Sequence, residues 1–187
     1  MTNVIGYIIN WIRDMKRTEN SINLLEDEIS CHDELSTPAT ELSQAFQNFT
    51  KELRKQYEIN KGVLVVRQQD TRRLAAVSTW HDGSLRDGLT ISLPNKTSLF
   101  ERVAEDGRVY TEDFCESFSG NFFERKLLLD DDSRSFVVQP LKADGEVIGL
   151  LAYSSEKPTA FTMFDEGSAD KTTQAFASEV RALLLRS

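Results

Sequence analysis

The sequence predicts an α+β fold built on a central antiparallel sheet, and three local patterns carry that prediction. Phe136 to Lys142 and Val147 to Tyr153 are apolar runs separated by Asp144-Gly145, a dipeptide able to take positive φ in a tight hairpin turn. Val63 to Arg67 and Leu74 to Trp80 form a second pair of such runs, joined across Gln68 to Arg72. Helical periodicity flanks the strands on both sides, up to Tyr57 and on to Leu184.

Each element has a local cause. Met1, Val4, Ile8, Trp11, Met15, Ile22, Leu25 and Ile29 recur in steps of three and four, with Thr18 the polar member of the seam. Such a heptad period, sustained over about four repeats, predicts one long helix and a coiled-coil dimer. Ile5, Ile9 and Ile12 widen the stripe, so the alternative is an amphipathic helix folded onto its own domain. The organisation is therefore an N-terminal helix over 1–35 and one domain over 36–187. Thr37-Pro38 supplies an N-cap with proline at the first helical position, and Leu42, Phe46, Phe49 and Leu53 mark the buried face of the helix that follows.

Thr90 to Leu93 is a short third strand, and Ser98-x-x-Glu101 has the spacing of a capping box for a helix that Gly107 stops. Val109 to Phe114 is the next strand. Cys115 to Ser133 is irregular, with one helix around Asn121 to Leu129. After the hairpin, Thr162 and Asp165 have capping-box spacing for the last helix. Within the hairpin, Gly149 marks a bulge or a close backbone approach.

Composition bounds the function. A length of 187 residues with 40% hydrophobic content supports a single core plus an extension. The formal charge of −8, with no basic stripe along the chain, opposes nucleic acid and anionic membrane as partners. Val4 to Ile12 is too short to span a bilayer and lacks a basic start and a small-residue cleavage site. Two cysteines, Cys31 and Cys115, suit a reducing compartment, and the expected location is cytoplasmic.

Catalytic and metal signatures are weak. His32 and His81 stand in no motif that would bring a serine or cysteine nucleophile beside them, and His81 reads as a strand-end turn residue. Asp130-Asp131-Asp132 lacks the alternating ligands and glycine of a calcium loop, and zinc spacing is absent. Cys115 has acidic neighbours in Glu112, Asp113 and Glu116, which raise a thiol pKa by like-charge repulsion. It reads as a small buried hydrophobe.

The string Arg134-Ser135, Pro140-Leu141, Gly145-Glu146-Val147-Ile148-Gly149-Leu150-Leu151 and Phe161-Thr162 resembles the C-terminal half of GAF domains. Val103, Gly107 and Asp113 extend the likeness upstream, while Asn95 and Ser98 stand where that family usually has glycines. The resemblance spans about residues 38–187. It implies a GAF-like, PAS-related sheet with helices on one face and an irregular pocket-covering segment, about Phe114 to Arg134, on the other. Phe114, Phe118, Phe122 and Phe123 would wall the pocket, and Ser98, Asp113 and Arg134 would orient a ligand.

Particular ligands of the family are poorly matched. Asp113-Phe114-Cys115 resembles the start of the D-x-C-F motif of bilin-binding members, but Glu116 replaces the phenylalanine. The Cys-His dipeptide of those members occurs here only as Cys31-His32, before the domain's first helix. Phe161-x-x-x-Asp165-Glu166 matches half of a cyclic-nucleotide motif, with Ser154-Ser155 in place of Asn-Lys. The cofactor is left open. The resemblance implies a non-catalytic sensory or regulatory protein that binds a small molecule and signals in trans as a homodimer through a signalling partner. The alternatives are a scaffold without ligand, or a redox enzyme like the free methionine sulfoxide reductases, for which one domain cysteine offers no resolving partner.

Replacing Ile8 and Ile22 together with Asp is expected to convert a dimer to a monomer in sedimentation, because unpaired charges in an apolar seam cost several kcal/mol. An unchanged dimer would place the interface on the helices over 38–57 and 165–185.

Overall fold

The computed structural model describes residues 37–54, 57–81, 84–86, 91–115, 118–162, 164 and 170–186, so the predicted helix over 1–35 lies outside the described residues. Helix α1 (Thr37–Leu53) is followed by strands β1 (Lys61–Arg67), β2 (Leu74–His81), β3 (Ser84–Arg86) and β4 (Ile91–Ser92). Helix α2 (Leu99–Asp106), β5 (Tyr110–Glu112) and α3 (Phe122–Leu128) lead to β6 (Ser135–Ala143), β7 (Glu146–Ser155) and α4 (Asp170–Leu184). The sheet order is β3-β2-β1-β7-β6-β5, with β4 paired to β2 and every pairing antiparallel.

The last strand of the chain lies at the centre of this sheet, between β1 and β6. Strand side chains alternate between faces, so a central strand covered on both sides must be apolar throughout. Leu64, Val66, Leu151 and Tyr153 join one core cluster, and Val63, Val65, Leu150 and Ala152 the other. The first cluster is closed by α1, through Leu42, Phe46, Phe49 and Leu53, and by α4, through Phe176, Ala177, Val180 and Leu183. Phe49 and Phe176 stack with ring centroids 4.4 Å apart and tie the two helices together. The second cluster is closed by Leu99, Phe100, Val103 and Ala104 of α2 with Leu128 and Leu129.

The hairpin forms as its sequence predicts, with Asp144 at φ 50° and Gly145 at φ 83°. Register shifts between Leu141 and Lys142, because Leu141 pairs with Gly149 while Lys142 pairs with Val147. Ile148 is the extra residue of that bulge. Gly149 also accounts for a close approach, since a Cβ there would run into the Val65 carbonyl oxygen and lie 3.2 Å from Val66 Cα.

Three expectations are revised. The helix predicted to reach Tyr57 ends at Leu53, and the strand predicted over 109–114 is confined to Tyr110–Glu112. Thr162 lies in a turn, its hydroxyl donating to the Thr159 carbonyl and to Asp113 Oδ1, and α4 begins at Asp170. Asp165, the other half of that predicted capping box, lies outside the described residues. Among the described residues, no helix is long and apolar enough to cross a membrane.

Gly149→Ala is expected to destabilise by about 1–3 kcal/mol, because rigid backbone and not a flexible side chain meets the new methyl. Gly145→Ala, which meets nothing within 4 Å, pays only for its positive φ and should cost about 1 kcal/mol. Urea unfolding compares them, and a Gly149→Ala protein as stable as the parent would mean that β7 and β1 lie farther apart than this.

Candidate ligand site

A helix start leaves backbone N–H groups without intrahelical partners, and at α2 those groups find an acceptor from a distant segment. Ser98 is the N-cap, and its Oγ accepts from the Glu101 N–H at 2.9 Å. Only half of the predicted capping box forms, since the Glu101 carboxylate turns to Arg67 instead, at 3.4 Å. The remaining donors go to Glu124, which is fully buried. Leu99 N–H donates to Glu124 Oε2 at 2.9 Å and Phe100 N–H to Oε1 at 3.0 Å, while the Ser98 hydroxyl also donates to Oε1.

The same carboxylate caps its own helix. Asn121 N–H donates to Glu124 Oε2 at 3.0 Å, and Glu124 N–H donates to Asn121 Oδ1 at 3.0 Å, a complete capping box for α3. One buried charge thus closes two helix N-termini, where both helix dipoles favour it. The Asn121-x-x-Glu124 spacing was available in the sequence, but nothing local announced that the carboxylate would also serve α2.

Of the predicted site residues, Ser98 borders the cleft described below, and the others are placed elsewhere on the described surface and core. Glu124 and Leu128, four residues apart, form the inward face of α3, so Phe122 is turned outward and is 47% exposed. Phe123 lies half-buried on the flank, edge-on to Phe122 with centroids 6.1 Å apart. Phe114 is 59% exposed, which does not suit a pocket wall. Phe118 is half-buried against Phe136, with centroids 5.4 Å apart, and helps to fill the second core cluster.

Among the polar candidates, Asp113 accepts from Thr162 Oγ1 at 3.1 Å, and its carbonyl accepts from Thr159 N–H at 3.2 Å. Arg134 is exposed, and its backbone bonds Ser155 and Cys115 across the sheet end. Asp130 has its recorded partners in Ser133 Oγ, at 2.7 Å, and His81 Nε2, at 3.3 Å, rather than in Arg134. Burial alone would raise the Asp130 carboxyl, but Ser133, Lys61 and His81 together hold it below its ordinary value.

Ser98 borders a cleft of about 570 Å³ that the sequence did not disclose. Arg67, Arg72 and Arg73, from β1 and the connection to β2, line one side, and Glu101, Arg102 and Glu105 of α2 line another. Asn95, Thr97 and Ser119 add amide and hydroxyl groups. Two of the guanidinium forks are already oriented. Arg67 Nη1 donates to the Arg72 carbonyl at 2.8 Å, and Arg102 Nη2 donates to the Ser119 carbonyl at 2.9 Å and to Ser119 Oγ at 2.8 Å. Burial pushes the Glu101 carboxyl above its usual value, against the opposing pull of Arg67.

Cys115 is half-buried, and its thiol is pushed up to about 11, chiefly by burial and then by Glu112, with Arg125 and Arg134 opposing. Little thiolate is present near neutrality. Among the described residues, no group of three or more His, Cys, Asp or Glu side chains is placed to hold a metal ion.

A GAF domain family model matches residues 41–174, more than half of the chain. The chain belongs to the GAF domain family. The GAF domain of a two-component sensor histidine kinase from Bacillus halodurans is similar at TM-score 0.62 and 17% identity, covering 82% of this chain and 99% of that one. A type II free methionine-R-sulfoxide reductase from Thermoplasma acidophilum is similar at TM-score 0.57 and 17% identity, covering 78% and 96%. Residues 122 to 287 of a methyl-accepting chemotaxis protein give TM-score 0.52 and 17% identity, covering 78% and 88%. Identities this low establish the fold alone. No curated protein matches the sequence.

Glu124→Ala should destabilise this GAF domain by about 3 kcal/mol or more, because it orphans several buried donors at once. Glu124→Gln keeps the shape but sets an amide N–H₂ against N–H donors, and it should recover only part of the loss. Urea unfolding of both variants measures this, and a Gln variant as stable as the parent would show that the charge is dispensable.

Proposed function

We propose that this GAF domain is a cytoplasmic sensory or regulatory module that binds a small polar molecule, acts as a homodimer and signals through a protein partner. The observation that carries the reading is the cleft beside Ser98, a concave site of ligand size at the junction of three chain segments. Similarity to domains of a sensor histidine kinase and a chemotaxis protein supports the regulatory class. The ligand of this reading sits at the α2 side of the domain, where Phe118 packs into the core and Phe114 and Phe122 are exposed.

This reading makes the chain non-catalytic. A reductase chemistry of the kind named for the Thermoplasma relative would draw on thiolates, and Cys115 is held protonated near neutral pH.

Native mass spectrometry of freshly purified protein is expected to show a dimer with a retained small molecule, and Cys115→Ser should leave both unchanged. A dimer that stays bare through a metabolite screen would favour the scaffold reading. Methionine sulfoxide reduction that disappears in Cys115→Ser would replace the regulatory reading with an enzymatic one.

A further inference from the structure

We propose that the cleft between the β1–β2 connection and the first turns of α2 holds its ligand by a phosphate group. The reading of the chain as a ligand-binding module underlies this proposal, which adds the chemical class of the ligand. Four arginines line the cleft against two glutamates, an excess of positive charge on a chain whose formal charge is −8. Local accumulation of one sign against the overall balance is what an oppositely charged ligand requires.

The arginines divide into two kinds. Arg67 and Arg102 are held by Arg72, Glu101 and Ser119, so their forks are fixed before any ligand arrives. Among the described residues, the Arg72 and Arg73 guanidinium groups make no hydrogen bond or ion pair, although Arg73 is half-buried. Pre-set donors beside open ones make a site that is oriented and still vacant in charge. Arg72 at φ 59° and Thr97 at φ 56°, both on the cleft wall, carry left-handed backbone without glycine. Such conformations persist where the surroundings impose them, and they concentrate at ligand sites.

Phosphate is favoured over carboxylate for two reasons. Glu124 already saturates the first N–H groups of α2, so the helix start offers an anion little, and the arginines must supply the attraction. The Glu101 carboxylate already pairs with Arg67, and a ligand carboxylate offers the arginines no more than that. A phosphate ester, with a charge of about −1.5 to −2 and three acceptor oxygens, does. At about 570 Å³ the cleft exceeds a bare phosphate, and Asn95, Thr97 and Ser119 suit a hydroxyl-bearing body.

The test is calorimetric titration of the full chain at physiological salt with inorganic pyrophosphate, with glucose 6-phosphate and with malonate. Both phosphates should bind, and malonate should bind at least about tenfold more weakly. The double variant Arg72→Ala/Arg73→Ala should lose about tenfold or more in phosphate affinity at unchanged melting temperature, because neither side chain has a structural partner. Arg134→Ala, outside the cleft, should bind like the parent. Absence of phosphate binding, equal binding by the double variant, or malonate binding as tightly as pyrophosphate would each overturn the proposal. A retained molecule without phosphate in the native spectrum would do the same while leaving the regulatory reading in place.

Discussion

The buried carboxylate of Glu124 is the constraint on which the α2 side of the domain depends. A charge removed from water is costly unless its lone pairs are met, and here Ser98, Leu99, Phe100 and Asn121 all donate to it. At seven residues, α3 is too short to be stable by itself, so it exists as a helix because it is anchored. Fixing α3 to α2 also sets the first turns of α2 and therefore the positions from which Glu101 and Arg102 face the cleft. Core packing and the shape of the cleft thus share one hydrogen-bonded node.

The opposite face is organised by apolar contact. Phe46, Phe49, Phe161 and Phe176 pack with Tyr153 beneath α1 and α4, and the central strands β1 and β7 contribute to both faces at once. Gly149 permits this by letting β7 approach the Val65 carbonyl without a side chain between them. The sheet is consequently a partition between an aromatic layer and a layer that ends in polar groups. Arg67, the last residue of β1, stands where the apolar run stops and the cleft begins.

Much of the fold was legible because its determinants are local. Asp144-Gly145 requires a turn, Leu42, Phe46, Phe49 and Leu53 require a helix face, and the β6–β7 residues read as a covered hairpin wherever they occur. The site was less legible because its determinants are distributed. Arg67, Arg72 and Arg73 stand thirty residues or so before Arg102, with no stripe in sequence, and only the packing of α2 beside the β1–β2 connection brings them to one cleft. The placement of Phe122 and Phe123 was not legible either, since two adjacent phenylalanines on a short helix cannot both face inward when Glu124 and Leu128 take that face. For Cys115, the acidic neighbour Glu112 was readable, but burial, the larger cause of its raised pKa, depends on tertiary packing.

The distribution of polar and apolar groups decides what kind of ligand the α2 side of this domain could admit. Beneath α2 the space over the sheet is taken by Leu99, Phe100, Val103, Leu128 and Phe136, with Phe118 packed at its margin. A ligand that relied on apolar burial would have to displace core side chains, each worth about 1.5–3 kcal/mol when fully buried. A ligand that relied on charge and hydrogen bonds displaces only water and partly shared guanidinium bonds at the rim. Recognition of that kind gains its selectivity from the geometry of the donors, and because the cleft is open to solvent, salt screening limits its strength. The orientation of the rim arginines therefore depends on α2 being held still, which returns the geometry of the cleft to the carboxylate that holds it.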